Sequence, residues 1–421
     1  MTKQIVVKIL NILAKRILEK YNPVIVGITG SVGKSSTKKS IYEILKTKYK
    51  VACNRGCYSS DINIPLTIIG IEGGGHSVVG WLKVFIKAIK IIIIKKDYPE
   101  IIILEISVNR PGDMKKILKI VKPNIGIMTA IGKFPSHVKY FKNAKHIARE
   151  KSLLIKSLGK KDLAVLNFDD EAIKELSKNI KPETISYGFN GNEDVIASEV
   201  LLSDKKFRTE DGLMGMSFKI SYGGTTVPFR LPYALGKGQI YSTLSAVAVG
   251  IHFGFNLVEM SEIVSNYHPL AGRMNLIGGI NESLIIDDSF NASPSSMGVA
   301  LEAVKKLSAK RKIAVLGDML ELGEYCESAH REVGEIVFQS VDILFAYGSR
   351  NKILCEQARK SGMASDSIFY FEDIDDLIKS LKSILQKEDV VLIKGSRAMH
   401  MEKVVREAMV RPELADKLLV K

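Results

Sequence analysis

"GITGSVGKSSTK", residues 27–38, lies between the apolar run "VIVGIT" (24–29, which it overlaps) and a helical pattern from about Lys34 to Thr47. A buried strand, a glycine-rich turn and a helix start form a setting in which backbone N–H groups and the helix dipole can hold a phosphate. The spacing departs from the common phosphate loop, G-x-x-x-x-G-K-[ST]. Counting back from Gly33-Lys34-Ser35 puts the first glycine at residue 28, which is isoleucine; the glycines sit at 27, 30 and 33. The stretch is either a phosphate loop of another spacing or an ordinary strand-turn-helix. In the first reading Lys34 meets the outer phosphates and Ser35 a Mg²⁺ ion. Glu105 ends a second buried-strand run, "PEIIILEIS" (99–107). A carboxylate there, beside a phosphate loop, is a common Mg²⁺ ligand.

Working outward, "NIGIMTAIG" (124–132) and "DLAVLNFDD" (162–170) repeat the buried-strand pattern with helical stretches between. This predicts an α/β fold: a P-loop-type central ATPase domain with a mostly parallel sheet. Residues 195–232 alternate and carry turn signals at Asp211-Gly212 and Gly223-Gly224, so β-hairpins are expected there. Helices are expected at about 239–254 and 257–266, and "HPLAGRMN" (268–275) reads as a linker. Beyond it "SLIIDD", "KIAVLGDM", "DILFAYGS", "SIFYFED" and "DVVLIKGS" alternate with helices starting near Ser295, Ser328, Arg350, Ile374 and Arg397. That is a doubly wound, Rossmann-like C-terminal domain. The expected division is an N-terminal amphipathic helix over 1–22, a central domain over 23–270 and a C-terminal domain over 271–421.

The 421-residue chain has 61 Lys+Arg against 46 Asp+Glu, a net charge of +15. Such a charge favours anionic partners without choosing among nucleotides, phosphorylated substrates, nucleic acid and acidic membranes. Cys53 and Cys57 are four apart, but no second close pair completes a zinc site. Four thiols in a chain this long suit a reducing compartment. No secretory signal is evident. "GWLKVFIKAIKIIIIKKDYPE" (80–100) is too charged to span a bilayer, since Lys83, Lys87 and Lys90 break the apolar run; on a helix those three share one face. Peripheral contact with a membrane and ordinary packing on a core both stay open. No Asn-Lys-x-Asp guanine reader is present.

Further motifs narrow the reading. "IIDDSFNASPSSMGVAL" (285–301), "VLGDMLELGE" (315–324) and "VLIKGSRAMHMEKVV" (391–405) resemble the Mur ligase family. In that family the loop reads T-G-(S/T)-x-G-K-(S/T), which Thr29-Gly30-Ser31-Val32-Gly33-Lys34-Ser35 fits residue by residue. "IPLTII" (64–69), "LEISVNRPGDM" (104–114), "AIGKFPSH" (130–137) and "AGRMN" (271–275) extend the resemblance over about residues 22–405.

The resemblance implies an ATP-dependent ligase of the cytoplasm that serves cell-wall synthesis. A substrate carboxylate takes the γ-phosphate of ATP, and an amine then displaces phosphate from the acyl phosphate to form an amide. Its substrates would be an anionic cell-wall precursor and an amino acid or dipeptide, with no nucleic acid, and the chain would act as a monomer. It also assigns roles. Thr29, Gly30, Ser31, Gly33, Lys34, Ser35 and Ser36 would cradle ATP, with Arg273, Asp288 and Asn291 joining them. Ser35 would hold one Mg²⁺ and Glu105, His137 and Lys151 a second, Lys151 as a carbamate formed with CO₂. Lys34, Lys151 and His137 would be catalytic. Arg110, Lys394 and Arg397 would face the substrates.

Departures from the family pattern qualify these expectations. Only 26 residues precede Gly27, too few for the domain that grips the UDP end of the family's substrates. Arg110 stands in "N-R-P-G" where histidine is usual; Gly238 and Ser242 replace polar residues, and Ser59 and Ser60 replace paired asparagines. Another carboxylate (polyglutamate, a pseudomurein peptide or a cofactor side chain) would then be the substrate, or the chain would be a non-catalytic nucleotide-binding partner.

Overall fold

The computed structural model describes residues 3–54, 60–75, 77–94, 97–131, 141, 144–202 and 215–420, the side chains of 3, 60 and 144 excepted. The central strands are β1 (Val24–Thr29), β2 (Val51–Cys53), β3 (Ile101–Glu105), β4 (Ile125–Met128), β5 (Leu163–Asn167), β6 (Glu183–Gly188), β7 (Val195–Leu202), β8 (Met216–Tyr222) and β9 (Thr225–Leu231). They form one sheet in the order β2-β3-β1-β4-β5-β6-β7-β8-β9. Pairing is parallel as far as β7, and β8 and β9 are antiparallel.

The helices of this part are α1 (Lys3–Tyr21), α2 (Lys34–Leu45), α3 (Ser60–Ile69), α4 (Val78–Ile93), α5 (Asp113–Leu118), α6 (Ala144–Lys156), α7 (Glu171–Ser177), α8 (Lys237–His252) and α9 (Leu257–Ser265). Buried on both faces, the parallel strands divide their side chains by alternation. Val26, Ile28, Ile101 and Ile103 join Ile41 and Ile44 of α2 and Leu244 of α8. Ile25, Ile102 and Leu104 face the opposite way, against Leu10 and Ile17 of α1, Ile64 of α3 and Val84 and Ala88 of α4. α1 therefore belongs to the packed body: Val6, Leu10, Ala14 and Ile17 fall on one helical face and are buried.

The second sheet contains β10 (Asn275–Gly278), β11 (Leu284–Asp288), β12 (Arg311–Gly317), β13 (Ile343–Tyr347), β14 (Ile368–Phe371) and β15 (Asp389–Lys394), ordered β10-β11-β15-β12-β13-β14. All its pairs are parallel except β10 with β11. α10 (Pro294–Lys305), α11 (Cys326–Ser340) and α12 (Asn351–Lys360) supply one covering layer. α13 (Ile374–Ile384), α14 (Glu402–Ala408) and α15 (Ala415–Leu418) supply the other. The α/β fold read from the strand runs is the one observed.

One local expectation holds and two change. The β-hairpin strands expected over 195–232 form and continue the central sheet as β7-β8-β9. Their Gly223-Gly224 turn has φ of 55° and 80°, the paired positive values of a tight hairpin, while Asp211-Gly212 lies outside the described residues. The linker runs into an unforeseen edge strand, β10, too short to show a period. At Arg397 only a 3₁₀ turn forms (Arg397–Met399); His400 turns left-handed at φ 52°, and α14 starts at Glu402.

Candidate active site

Register places the site. Ile28 is opposite Glu105 and Thr29 opposite Met128, so β1, β3 and β4 end side by side. Ligands of open parallel sheets bind beyond such carboxyl ends. The opening loop leaves β1 there. Gly33 caps α2 at φ 86°. Gly30 has φ 150°, and a Cβ on it would collide with Thr129 Oγ1. The loop is pinned to the segment after β4: Ser31 N–H donates to Ala130 O at 2.6 Å and Thr129 Oγ1 to Val32 O at 2.6 Å. Ser31 Oγ is buried with no hydrogen-bond partner among the described residues, so an acceptor or donor is owed to it there.

Two lysines converge on one carbonyl. Lys34 Nζ donates to Gly30 O at 2.9 Å, and Lys151 Nζ donates to the same oxygen. Burial holds the Lys34 ammonium below the ordinary lysine range, against the pull of Glu105 and with added repulsion from Arg273. Burial and the repulsion of Lys34 carry Lys151 well below that range.

Glu105 lies across from them. Its Oε1 accepts from Ser35 Oγ at 2.9 Å, and its Oε2 is 3.0 Å from Lys38 Nζ. Burial alone would raise this carboxyl, but Lys38 and Lys34, with hydrogen bonds from Lys38 and Ser35, bring it below the usual carboxylate range. Asn54 Nδ2 donates to Glu105 O at 2.9 Å and its Oδ1 accepts from Glu105 N–H at 2.8 Å.

The second domain brings its own charges to the same cleft. Lys394, 2% exposed, pairs with Asp288 at 2.6 Å and donates to Asn291 O at 2.8 Å. Burial keeps Lys394 below the ordinary lysine range despite Asp288. The Arg273 guanidinium stacks 4.0 Å above the Phe290 ring. Asp287 accepts from the N–H groups of Gly272 at 3.0 Å and Ser289 at 3.1 Å, tying the linker to the end of β11. Burial pushes its carboxyl up to about 6.

A cleft of about 1410 Å³ joins the two sets: Ser31, Gly33, Lys34, Ser35, Ser36, Glu105 and Lys151 on one side, and Arg273, Asp288, Asn291, Lys394 and Arg397 on the other. Gly30 and Thr29 stand behind this lining, Thr29 Oγ1 donating to Ile106 O at 3.1 Å. Arg397 pairs with Glu402 at 2.9 Å. Asn109 lines the cleft; Arg110, next to it, is not among the lining residues, and its backbone N–H donates to Oδ2 of Asp113, the first residue of α5. His137 lies outside the described residues. Lys38, Asn54, Thr129, Asp287 and Phe290 join the site without a motif that marks them in the sequence. For Lys38 helical spacing is a signal: it falls one turn beyond Lys34 and Ser35 on α2.

Among the described residues no cluster of three or more His, Cys, Asp or Glu could hold a metal ion. A hydroxyl and a carboxylate in contact, Ser35 and Glu105, nevertheless suit Mg²⁺, which takes few protein ligands and completes its shell with phosphate oxygens and water.

A phosphate-type loop at the carboxyl end of a parallel sheet faces a second α/β domain across a charged cleft, as a nucleotide-using enzyme of two domains requires. Residues 28–250 match the Mur ligase middle domain and residues 272–397 the Mur ligase, glutamate ligase domain. The chain belongs to the Mur ligase family and is an ATP-dependent ligase.

Among curated relatives, it is 28% identical over 402 residues to the UDP-N-acetylmuramoyl-tripeptide--D-alanyl-D-alanine ligase of Bacillus subtilis (strain 168), covering 95% of this chain and 79% of that one. The ligase of the same name from Haemophilus influenzae is 27% identical over 400 residues, 93% and 78% of the two chains. Among solved structures, MurF ligase from Thermotoga maritima in complex with ADP superposes with TM-score 0.77 at 24% identity, over 98% of this chain and 84% of that one.

Proposed function

We propose that this chain joins D-alanyl-D-alanine, or a related amino-acid amine, to the free carboxylate of a cell-wall peptide precursor. The observation that carries the reading is the shared cleft, in which Lys34, Ser35 and Glu105 face Asp288, Asn291 and Lys394. The 28% identity to a ligase with that pair of substrates, spread over nearly the whole chain, supports the choice.

The chemistry suits these residues. A carboxylate approaching a phosphate is opposed by roughly 4 kcal/mol for two like unit charges at 4 Å and an effective dielectric of 20. Lys34 and the loop N–H groups lessen this repulsion on the phosphate side, and Ser31 Oγ gains the partner it lacks. Ser35 and Glu105 would hold a Mg²⁺ ion, which supplies Lewis-acid neutralisation of phosphate oxygens. Lys151 would serve a second ion as a carbamate: the free amine adds to CO₂ and releases a proton, replacing a cation with an anionic oxygen ligand. Burial of Lys151 favours the free amine this needs. Lys394 and Arg397, at the cleft's far side, would orient the incoming substrates, and the two domains together would keep water from the acyl phosphate. The enzyme would work as a monomer in the cytoplasm. None of the described helices is long and apolar enough to cross a membrane.

The test is reconstitution. With ATP, Mg²⁺, UDP-N-acetylmuramoyl-tripeptide and D-alanyl-D-alanine, phosphate release depends on both substrates and mass spectrometry finds the amide product. Phosphate release indifferent to every acceptor and amine supplied overturns the reading. Release that responds only to a different carboxylate moves the substrate and keeps the chemistry.

A further inference from the structure

Among the described residues, exposed large apolar side chains are concentrated on α4. Val78, Leu82, Ile86, Ile89 and Ile93 recur at i, i+4, i+8, i+11 and i+15, a single helical stripe, and are 45–74% exposed. Val79 and Ile94 extend it. The face turned to the core, Val84, Ala88 and Ile91, is a different one and is already filled. Chains in water rarely expose so continuous an apolar patch without a use for it.

Charge identifies what covers the stripe. Lys83, Lys87 and Lys90 run along its side, again at helical spacing, and α4 has no acidic residue. α1 packs beside it, Lys20 Nζ donating to Ile91 O at 3.1 Å, and contributes five basic residues against one acidic. We propose that α4 is a docking surface for an anionic lipid bilayer, lying in the plane of the interface with its apolar stripe among the acyl chains. Lys83 and Lys90, both exposed, meet phosphate headgroups, their alkyl stems following the stripe outward, while Lys87 donates to Gly70 O. A second copy of the chain fits less well, because pairing through this face would bring two lysine rows together with no carboxylate between them. This surface is separate from the cleft, so the proposal stands or falls independently of the substrate.

The chain reports on itself. Its only tryptophan, Trp81, is on α4 at the edge of the stripe. The full-length protein is mixed with vesicles of phosphatidylcholine alone, or of equal parts phosphatidylcholine and phosphatidylglycerol, with bromine on the acyl chains. Trp81 fluorescence is quenched, and the protein floats with the vesicles, only when phosphatidylglycerol is present, and added salt reverses both. The K83Q/K90Q variant binds about tenfold more weakly or worse, from the loss of two surface lysines. The L82Q/I86Q/I89Q variant does not bind, while its thermal unfolding midpoint stays at the wild-type value. The wild-type quenching needs no variant and decides alone if one fails to fold. Equal behaviour with both vesicle types, absence of quenching, or a concentration-dependent dimer in light scattering that the stripe substitutions dissolve each overturns the proposal.

Discussion

Asn54 and Glu105 are clasped backbone to side chain: one amide group of Asn54 donates to Glu105 O at 2.9 Å and accepts from Glu105 N–H at 2.8 Å. Asn54 follows edge strand β2 and so completes the hydrogen bonding of β3 just where β2 ends. The clasp fixes the strand end that carries the carboxylate. Asn54→Ala leaves a partly buried N–H and C=O unpaired, at about 1–3 kcal/mol. The expected outcome is a lower unfolding midpoint and a higher Mg²⁺ concentration for half-maximal phosphate release. An unchanged Mg²⁺ requirement refutes the positioning role.

Glu105→Gln keeps the shape of the side chain and removes its charge. Lys38 and Lys34 then face a neutral amide. Turnover falls by about 100-fold or more if the carboxylate anchors the phosphate-neutralising charges. Phosphate-release kinetics check this, and a variant within a few-fold of wild type removes Glu105 from the reacting centre.

Much of this was legible in the sequence for physical reasons. Buried parallel strands advertise themselves as unbroken apolar runs, so β1, β3, β4, β5 and, in the second domain, β11 to β15 could be read directly. Glycines at 30 and 33 mark backbone conformations that side chains resist, and the GKS beside them marked the loop. What escaped depended on pairing between distant segments. β10 is four residues long and exists because β11 is beside it. Asn54 means nothing until β2 is laid against β3. Nothing in the sequence says that Lys34 and Lys151, over a hundred residues apart, share one carbonyl.

Lys151 supplies a direct spectroscopic prediction. With ¹³C-labelled bicarbonate, the protein shows a carbamate carbon resonance that Lys151→Arg lacks, since a guanidinium does not add CO₂ under these conditions. The same variant loses about 100-fold or more of its turnover, as a centre deprived of a charge-stabilising group does. A wild-type spectrum without the resonance discards the carbamate.

Lys394 and Asp288 form a buried pair, and removing one partner strands the other. Asp288→Ala lowers stability by about 3–5 kcal/mol, because the buried Lys394 ammonium loses its paired carboxylate. The double variant D288A/K394M has no charge left to strand and recovers most of that loss, while remaining inactive. Urea unfolding of the wild type, both single variants and the double variant measures the coupling. Additive effects contradict the pairing.

Asp287 makes stability depend on pH in an unusual direction. Its carboxyl is pushed from an ordinary 3.8 up to about 6, chiefly by burial. The folded state therefore binds this proton more tightly than the unfolded chain does. The stabilising contribution is complete below the unfolded value of 3.8 and is lost as pH rises through about 6. The difference is worth about 3 kcal/mol. Asp287→Asn removes the titration yet leaves an acceptor for Gly272 or Ser289. Across this window the wild type loses stability relative to the variant as pH rises, and above it the difference between them is constant. Urea midpoints at closely spaced pH values follow that difference. A pH-independent difference between the two proteins places the Asp287 carboxyl back in the ordinary range.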